Sequence, residues 1–437
     1  MSAKEQIDGQ PSAVPSQESG PSRGRLRAGL VFIFITVVLD MLALGIISPV
    51  LPRLIIDLLH GSTTQAAEII GIFGTMVAFL QFVFSPILGA VSDHFGRRPV
   101  ILLSNFGLGI DYMIMAVAPG VGWLFAGRTL SGVMSASMGA ASAYIADVTP
   151  GEKRAAAFGL LNVAFGVGFV LGPALGGMLG QIDTRLPFWF AAGLSLTNAM
   201  YGLFVLPESL TRNVRKKFAW RRANPLGAML FLKSDSKLFR LAIVQFLCNI
   251  AHQALPTVFV IYAMYRYNWN ARTVGLVLAS MGLCSALTSG LLVKPAVAFM
   301  GERRVLIGSL AAGVAGFLVF GFASTGVIFC TAIPLQALWS LAWPSMQSLI
   351  TRRVQRSEQG QLQGAIGSMR GIAYMIGPSL FTMTFATFIA MPGKWHLTGA
   401  PFLVGALLAG VSLVLAAMVG TFAPVAEKGG VGAASAD

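Results

Sequence analysis

Residues 156–180, AAFGLLNVAFGVGFVLGPALGGMLG, carry no charged side chain. At 1.5 Å per residue a helix of this length reaches about 37 Å, enough to cross a hydrocarbon core of about 30 Å. Gly168, Gly172, Gly176 and Gly180 stand four apart, so one face of that helix is a stripe without side chains, suited to close helix contact. Pro173, inside the stripe, removes a backbone hydrogen bond and predicts a bend that a moving interface could use.

Runs of this kind recur along the chain. Only 11% of the 437 residues are Asp, Glu, Lys or Arg, 55% are hydrophobic and the mean hydropathy is +0.73, against about 25% charged residues in soluble domains. Twelve spans are expected, near 29–51, 68–90, 100–118, 121–146, 156–180, 186–207, 239–263, 272–297, 305–322, 326–350, 363–390 and 400–421. Strand-like alternation is absent, which argues against a β-barrel. Cys248, Cys284 and Cys330 fall inside spans without a CxxC or Cys/His pairing, so neither disulfides nor a metal site is expected. Residues 1–28, rich in Ser, Pro, Gly and Gln, read as a disordered basic tail and not a cleaved leader.

A shift of about 205 residues carries Gly96 onto Gly301, Gly159 onto Gly364, Gly166 onto Gly371, Gly172 onto Gly377, Pro173 onto Pro378 and Leu175 onto Leu380. Chance does not easily place six such matches at one offset. The expected fold is therefore an all-α membrane protein of twelve transmembrane helices in two pseudo-symmetric six-helix bundles, 29–207 and 239–421. A loop at 208–238 joins them and a tail at 422–437 follows. Parallel repeats of this kind belong to transporters that rock about a midplane site.

The net charge of +14 raises nucleic-acid binding, but the placement of the charges points to topology instead. With an even number of spans both termini share one side. Of the 31 Lys and Arg, 24 lie on that side, five opposite, and Arg128 and Arg370 inside spans. The positive-inside rule then puts both termini in the cytoplasm. Nine of the 24 fall between Arg212 and Arg240, in a loop where Asn224, Pro225, Leu226 and Gly227 suit the cap and first turn of a short interfacial helix. No Gly-Lys-Ser/Thr phosphate cradle is present, so ATP is not the direct energy source. No nucleophile, base and oxyanion-donor set suggests an enzyme, and no attached soluble domain suggests a sensor.

Between the second and third spans stands GAVSDHFGRR, residues 89–98, too short for anything but a turn between antiparallel helices. Asp93 closes its own helix, where the dipole disfavours a negative charge, so it needs a cation or another helix's N-terminus. Arg97, Arg98 and the start of the eleventh span are candidates. This loop resembles the signature of the major facilitator superfamily, which implies a cytoplasmic latch formed by Gly89, Asp93, Gly96, Arg97 and Arg98. DMLALGIISPVLP (40–52), RTLSG (128–132), AYIAD (143–147) and GVGFVLGPALGG (166–177) are similar to drug:proton antiporters. Gly168, Gly172, Pro173, Gly176 and Gly177 match the fifth-helix motif of that family. With LPES (206–209) and QGQLQG (359–364), the resemblance covers nearly the whole chain and is nearest to bacterial tetracycline efflux proteins.

That resemblance implies export of small amphipathic drugs from a bacterial inner membrane by a monomer. The energy would come from the proton gradient without a cofactor, and the substrate could include a metal chelate. A transporter of an endogenous metabolite is the alternative. The histidine expected in the eighth helix is Cys284, the nearby glutamine is Thr288, and the aspartate expected in the ninth is Ala312. The acidic residues expected in the first and third helices are present as Asp40 and Asp111.

A charge at mid-membrane costs roughly 2.5–3.5 kcal/mol, so Asp40, Asp111 and Arg128 call for a function, and proton coupling is the one expected. An arginine about 4 Å from Asp40 would attract it by about 4 kcal/mol at an effective dielectric near 20. The adjacent cation favours the charged carboxylate and burial the neutral one, so motion between the two would switch proton affinity. Candidate substrate contacts are Gln81, then Gln245, Asn249 and Gln253 at helical spacing, and Trp339 with Trp343. His252 reads equally as a ligand or as an interior histidine.

Overall fold

The structure, a computed structural model, describes residues 23–135, 137–149, 151–210, 236–354, 358–393 and 396–418. Most of both tails and the greater part of the basic loop, with its expected interfacial helix, lie outside the described residues. Helices form the spans in order. The first span is α1 (Arg23–Ile47) and α2 (Leu51–Leu58), the second α3 (Thr63–Phe95) and the third α4 (Arg97–Val117). Next come α5 (Val121–Met134) with α6 (Ser137–Val148), α7 (Gly151–Ile182) and α8 (Leu186–Val205). The second half holds α9 (Ser236–His252) with α10 (Ala254–Tyr267), then α11 (Ala271–Leu287), a π-helical turn (Thr288–Leu292) and α12 (Val293–Met300). It closes with α13 (Glu302–Phe322), α14 (Gly326–Thr331), α15 (Ile333–Trp339), α16 (Ala342–Thr351), α17 (Gln359–Ala390) and α18 (Ala400–Met418).

Among the described residues eleven helical stretches are long and apolar enough to cross a membrane. The expected fourth span is described as α5 and α6 on either side of residue 136, which lies outside the described residues, and each alone is too short to be counted. The α-helix is also interrupted in the first, seventh and tenth spans. Prolines account for those three breaks: Pro52 stands in the first turn of α2, Pro256 in that of α10, Pro334 in that of α15 and Pro344 in that of α16. Each lacks the N–H that would bond the carbonyl four residues back. The eighth span is interrupted differently, by the π-helical turn Thr288–Leu292.

The duplication is visible in backbone and charge. Gly96 and Gly301, matched by the repeat, both take positive φ, +115° and +77°, in the turns before α4 and α13, where a side chain would be strained. Arg97 reaches Asp147 at 3.1 Å, and the residues about 205 further on, Glu302 and Arg352, pair at 2.8 Å with the charges exchanged.

Glycine sets the close helix contacts. A Cβ at Gly172 would lie 2.7 Å from the Cα of Gly45, and one at Gly180 2.8 Å from Val50 Cγ2, so the α7 stripe seats on α1 within the same half. The inter-half contact expected of this stripe is made by its flank: Gly177 lies against Ala271 and Arg272, and Gly275 against the Pro173 carbonyl. A second contact between halves joins α3 to α17, where Gly74 meets Pro378 and Thr75 Oγ1 bonds the Met375 carbonyl at 2.9 Å and Ser379 Oγ at 2.7 Å, and α10 packs on α2 and α3 beside it. All of this lies toward the ends of α3, α7, α11 and α17 remote from the Asp93 turn. Toward the Asp93 end, a Cβ added at Gly89, Gly159, Gly166, Gly290 or Gly367 would meet nothing within 4 Å. Among the described residues the close contacts between the halves thus gather at one end and leave a cleft toward the other.

Candidate functional site

Asp40 sits in α1 and is buried. It accepts a hydrogen bond from Asn198 Nδ2 of α8 at 3.2 Å. Asn105 of α4, its amide turned to suit its neighbours, donates to both Asp40 oxygens at 3.2 Å and accepts from Asn198 at 3.1 Å. Thr36, one turn before Asp40, donates to Asn198 Oδ1 at 3.1 Å and so fixes the amide's orientation. Three helices converge on one carboxylate through neutral amides. Sequence reading missed both asparagines, since only the packing of α8 and α4 on α1 brings them together.

The ion pair found for Arg128 is with a different carboxylate from the expected Asp40. Arg128 of α5 forms its ion pair with Asp111 of α4. The reason is local packing: α4 and α5 are adjacent, and at Gly127 a Cβ would stand 2.7 Å from Asp111 Oδ1, so the glycine makes room for the carboxylate. Asp111 is fully buried, and its Oδ1 and the Arg128 Nε have no hydrogen-bond partner. Tyr112, also buried, lies in electrostatic range of Asp40, Asp111 and Arg128. The three charges thus share one interior region as two units, an amide-held carboxylate and an ion pair.

At the Asp93 turn, Asp93 pairs with Arg97 at 2.6 Å, and Arg97 Nη1 also donates to Ser92 Oγ at 3.2 Å. Glu208, which the sequence offered only as part of LPES, caps α4: its carboxylate accepts from the backbone N–H of Arg97 at 2.9 Å and of Arg98 at 3.3 Å. Arg98 turns away to the Leu203 carbonyl at 2.5 Å. Among the described residues no bond joins Asp93 to the start of α17, the third candidate partner. The parted cleft at this end accounts for that.

In the second half Gln245 and Asn249 are buried, with Gln245 Oε1 and Asn249 Nδ2 unpartnered. Gln245 lies about 205 residues after Asp40, at the equivalent point of the repeat. Gln253 packs under Gly377 of α17, which has no side chain to obstruct it. Trp339 is a packing residue more than a cavity wall: it is 3% exposed, fills the space at Gly313 and lies 5.3 Å from the Phe317 ring. Trp343 is half-buried, and His252 is exposed with its ring 5.9 Å from Trp339 and 5.7 Å from Trp343. Gln336, whose two amide atoms are buried without partners, joins this group, a residue sequence reading passed over. Gln81 is exposed on α3 at the cleft.

Two repeated helical halves, closed at one end over a cleft and carrying buried charges beside it, define a membrane transporter of the alternating-access type. The family model described as Major Facilitator Superfamily matches residues 33–378 and 241–436, and the chain belongs to that superfamily. It is 36% identical over 87% of its length, and 94% of the relative's, to "Tetracycline resistance protein, class C" of Escherichia coli. It is 35% identical over 88% of its length, and 95% of the relative's, to "Tetracycline resistance protein, class G" of Vibrio anguillarum. Among solved structures, the nucleoside transporter NupG superposes with a TM-score of 0.71 at 14% identity, over 89% of this chain and 98% of that one. The human organic anion transporter MFSD10 gives 0.66 at 23% identity, over 90% and 99%. These structural likenesses speak to fold alone.

Proposed function

We propose that this chain is a proton-coupled exporter of small amphipathic drugs, tetracycline-like compounds first among them, in a bacterial inner membrane with both termini in the cytoplasm. The relatives named for tetracycline resistance support the substrate class, and the charge asymmetry of the loops supports the orientation. In that orientation the cleft opens to the cytoplasm, the side from which an exporter loads. The protein works as a monomer, binds no nucleic acid, catalyses no covalent chemistry and needs no cofactor beyond the proton gradient. A metal chelate of the drug is an acceptable cargo.

The observation that carries this reading is Asp40, a buried carboxylate whose donors Asn198 and Asn105 are neutral amides. Such a group can exchange a proton while these amides keep their hold on it. The Asp111–Arg128 pair beside it supplies a fixed field and stays charged through the cycle. Loading the proton and loading the drug then compete through the conformational equilibrium, which is the coupling an antiporter needs. The proline breaks in the first, seventh and tenth spans supply bendable segments that can absorb rocking of the two halves.

The test is accumulation of labelled tetracycline in inverted vesicles carrying the protein. Uptake should rise with interior acidity and collapse with a proton ionophore. Uptake that ignores the ionophore would remove proton coupling.

A further inference from the structure

The exposed residues of α17 change face along its length. In the half remote from the Asp93 end they are Ile376, Met383 and Thr387, spaced seven and four, one stripe on the outer side of the bundle. In the other half Gln363, Gly367 and Arg370, spaced four and three, form an exposed stripe on the opposite side, with Gln361 and Gly364 of the first turns also exposed beside it. That second stripe continues upward through Tyr374 to Gly377 and Phe381, where it is buried against Gln253. Arg370 is therefore turned to the cleft and not to lipid. On α3 the outer stripe of Ile72, Phe79 and Val83 is joined from Gln81 onward by a second exposed stripe on the opposite side, Gln81, Ser85 and Gly89. The two helices touch beside these residues, since a Cβ on Gly371 would run into the Phe82 ring.

Arg370 lies well inside an apolar span, exposed, and forms no ion pair among the described residues. A guanidinium at such depth costs several kcal/mol unless water or an anion meets it. By contrast, Asp111 and Arg128 neutralise one another, and Asp40 is enclosed by amides. The charge presented to the cleft from this wall is positive. Tyr374, one turn further on, lies in electrostatic range of Arg370, and Phe82 adds an aromatic surface at the next residue of the helix.

We infer that Arg370 is the anchor of an anion site in the cleft, which selects amphipathic substrates bearing a carboxylate or an enolate. The anionic group docks on the guanidinium, in the planar geometry that suits carboxylates. The apolar or aromatic body lies against Phe82 and Tyr374, and Gln81 supplies an amide from the opposite half. Because Arg370 belongs to one half and Gln81 to the other, a bound anion bridges the cleft. This assignment rests on the transport reading for its use but can be tested apart from it.

The experiment is calorimetric titration of the full chain in phosphatidylcholine nanodiscs, where no anionic headgroup competes. The probes are 1-naphthylacetate, 1-naphthylacetamide and 1-naphthylmethylammonium, which share one aromatic body. The acetate should bind at least tenfold more tightly than the other two. Arg370→Gln should remove that preference to within threefold while changing amide affinity little, and Arg370→Lys should keep part of it. Unchanged gel-filtration and melting behaviour of both variants would show that they fold. Equal binding of the three probes, no binding of the acetate, or equal loss of acetate and amide affinity in Arg370→Gln would each overturn the assignment. Loss of proton-driven uptake with acetate selectivity intact would instead count against the transport reading alone.

Discussion

Replacing Arg128 by alanine strands a carboxylate in the interior. Asp111 is fully buried, its Oδ1 has no hydrogen-bond partner, and its Oδ2 is held by the guanidinium that the substitution deletes. Breaking a buried pair from one side costs about 3–5 kcal/mol, because the remaining charge is uncompensated. For a unit the size of one six-helix half, about 2–4 °C per kcal/mol translates this into a fall in melting temperature of roughly 6–20 °C. The double substitution Asp111→Asn with Arg128→Met removes both charges and should recover most of the loss, since exchanging a buried pair for neutral side chains is often neutral or better. Tryptophan fluorescence of the detergent-solubilised full chain, read during stepped heating, measures both. A single variant that melts with the wild type, or a double variant no more stable than the single one, would refute the pairing and the field attributed to it.

Three further outcomes are expected. Gly172→Ala should lower stability by about 1–3 kcal/mol through the clash with Gly45, whereas Gly166→Ala, with nothing within 4 Å, should melt as the wild type does; equal effects would show that the α7 stripe does not seat on α1. Asp93→Asn should slow turnover of labelled drug far more than it weakens equilibrium binding, since the carboxylate holds Arg97 at the moving end and touches no pocket residue; equal losses in rate and affinity would count against a latch. With Cys284 and Ala312 where related exporters carry a histidine and an aspartate, minimal inhibitory concentrations in a pump-deficient host should show weaker tetracycline resistance and a broader response to other hydrophobic drugs, and strong resistance to tetracycline alone would contradict this.

The spans were legible because apolarity over membrane-crossing lengths leaves few alternatives, and the duplication because Gly96 and Gly301 serve turns of positive φ that other residues resist. The breaks at Pro52, Pro256, Pro334 and Pro344 were readable in principle from proline alone. Charge partners were less legible: Arg128 pairs with Asp111 because of which helices are neighbours and because Gly127 leaves space, neither of which is written in local sequence. Asn198 and Asn105 were invisible for the same reason. Arg370 was noticed only as one of two arginines within spans, and its role depends on the face it turns to the cleft, a property of the packed halves.

The most direct measurement of the central claim is accumulation of labelled tetracycline by proteoliposomes containing Asp40→Asn, with the interior about two pH units more acidic than the medium. One-for-one exchange of a monocationic chelate with a proton moves no net charge, so each pH unit supplies about 1.4 kcal/mol and two units sustain up to about 100-fold accumulation in the wild type. The variant keeps the shape at residue 40 and loses the titrating group. It should exchange drug across the membrane at equal pH and accumulate none above equilibrium when the gradient is imposed. Accumulation by Asp40→Asn that matches the wild type would contradict the assignment of proton transfer to this carboxylate.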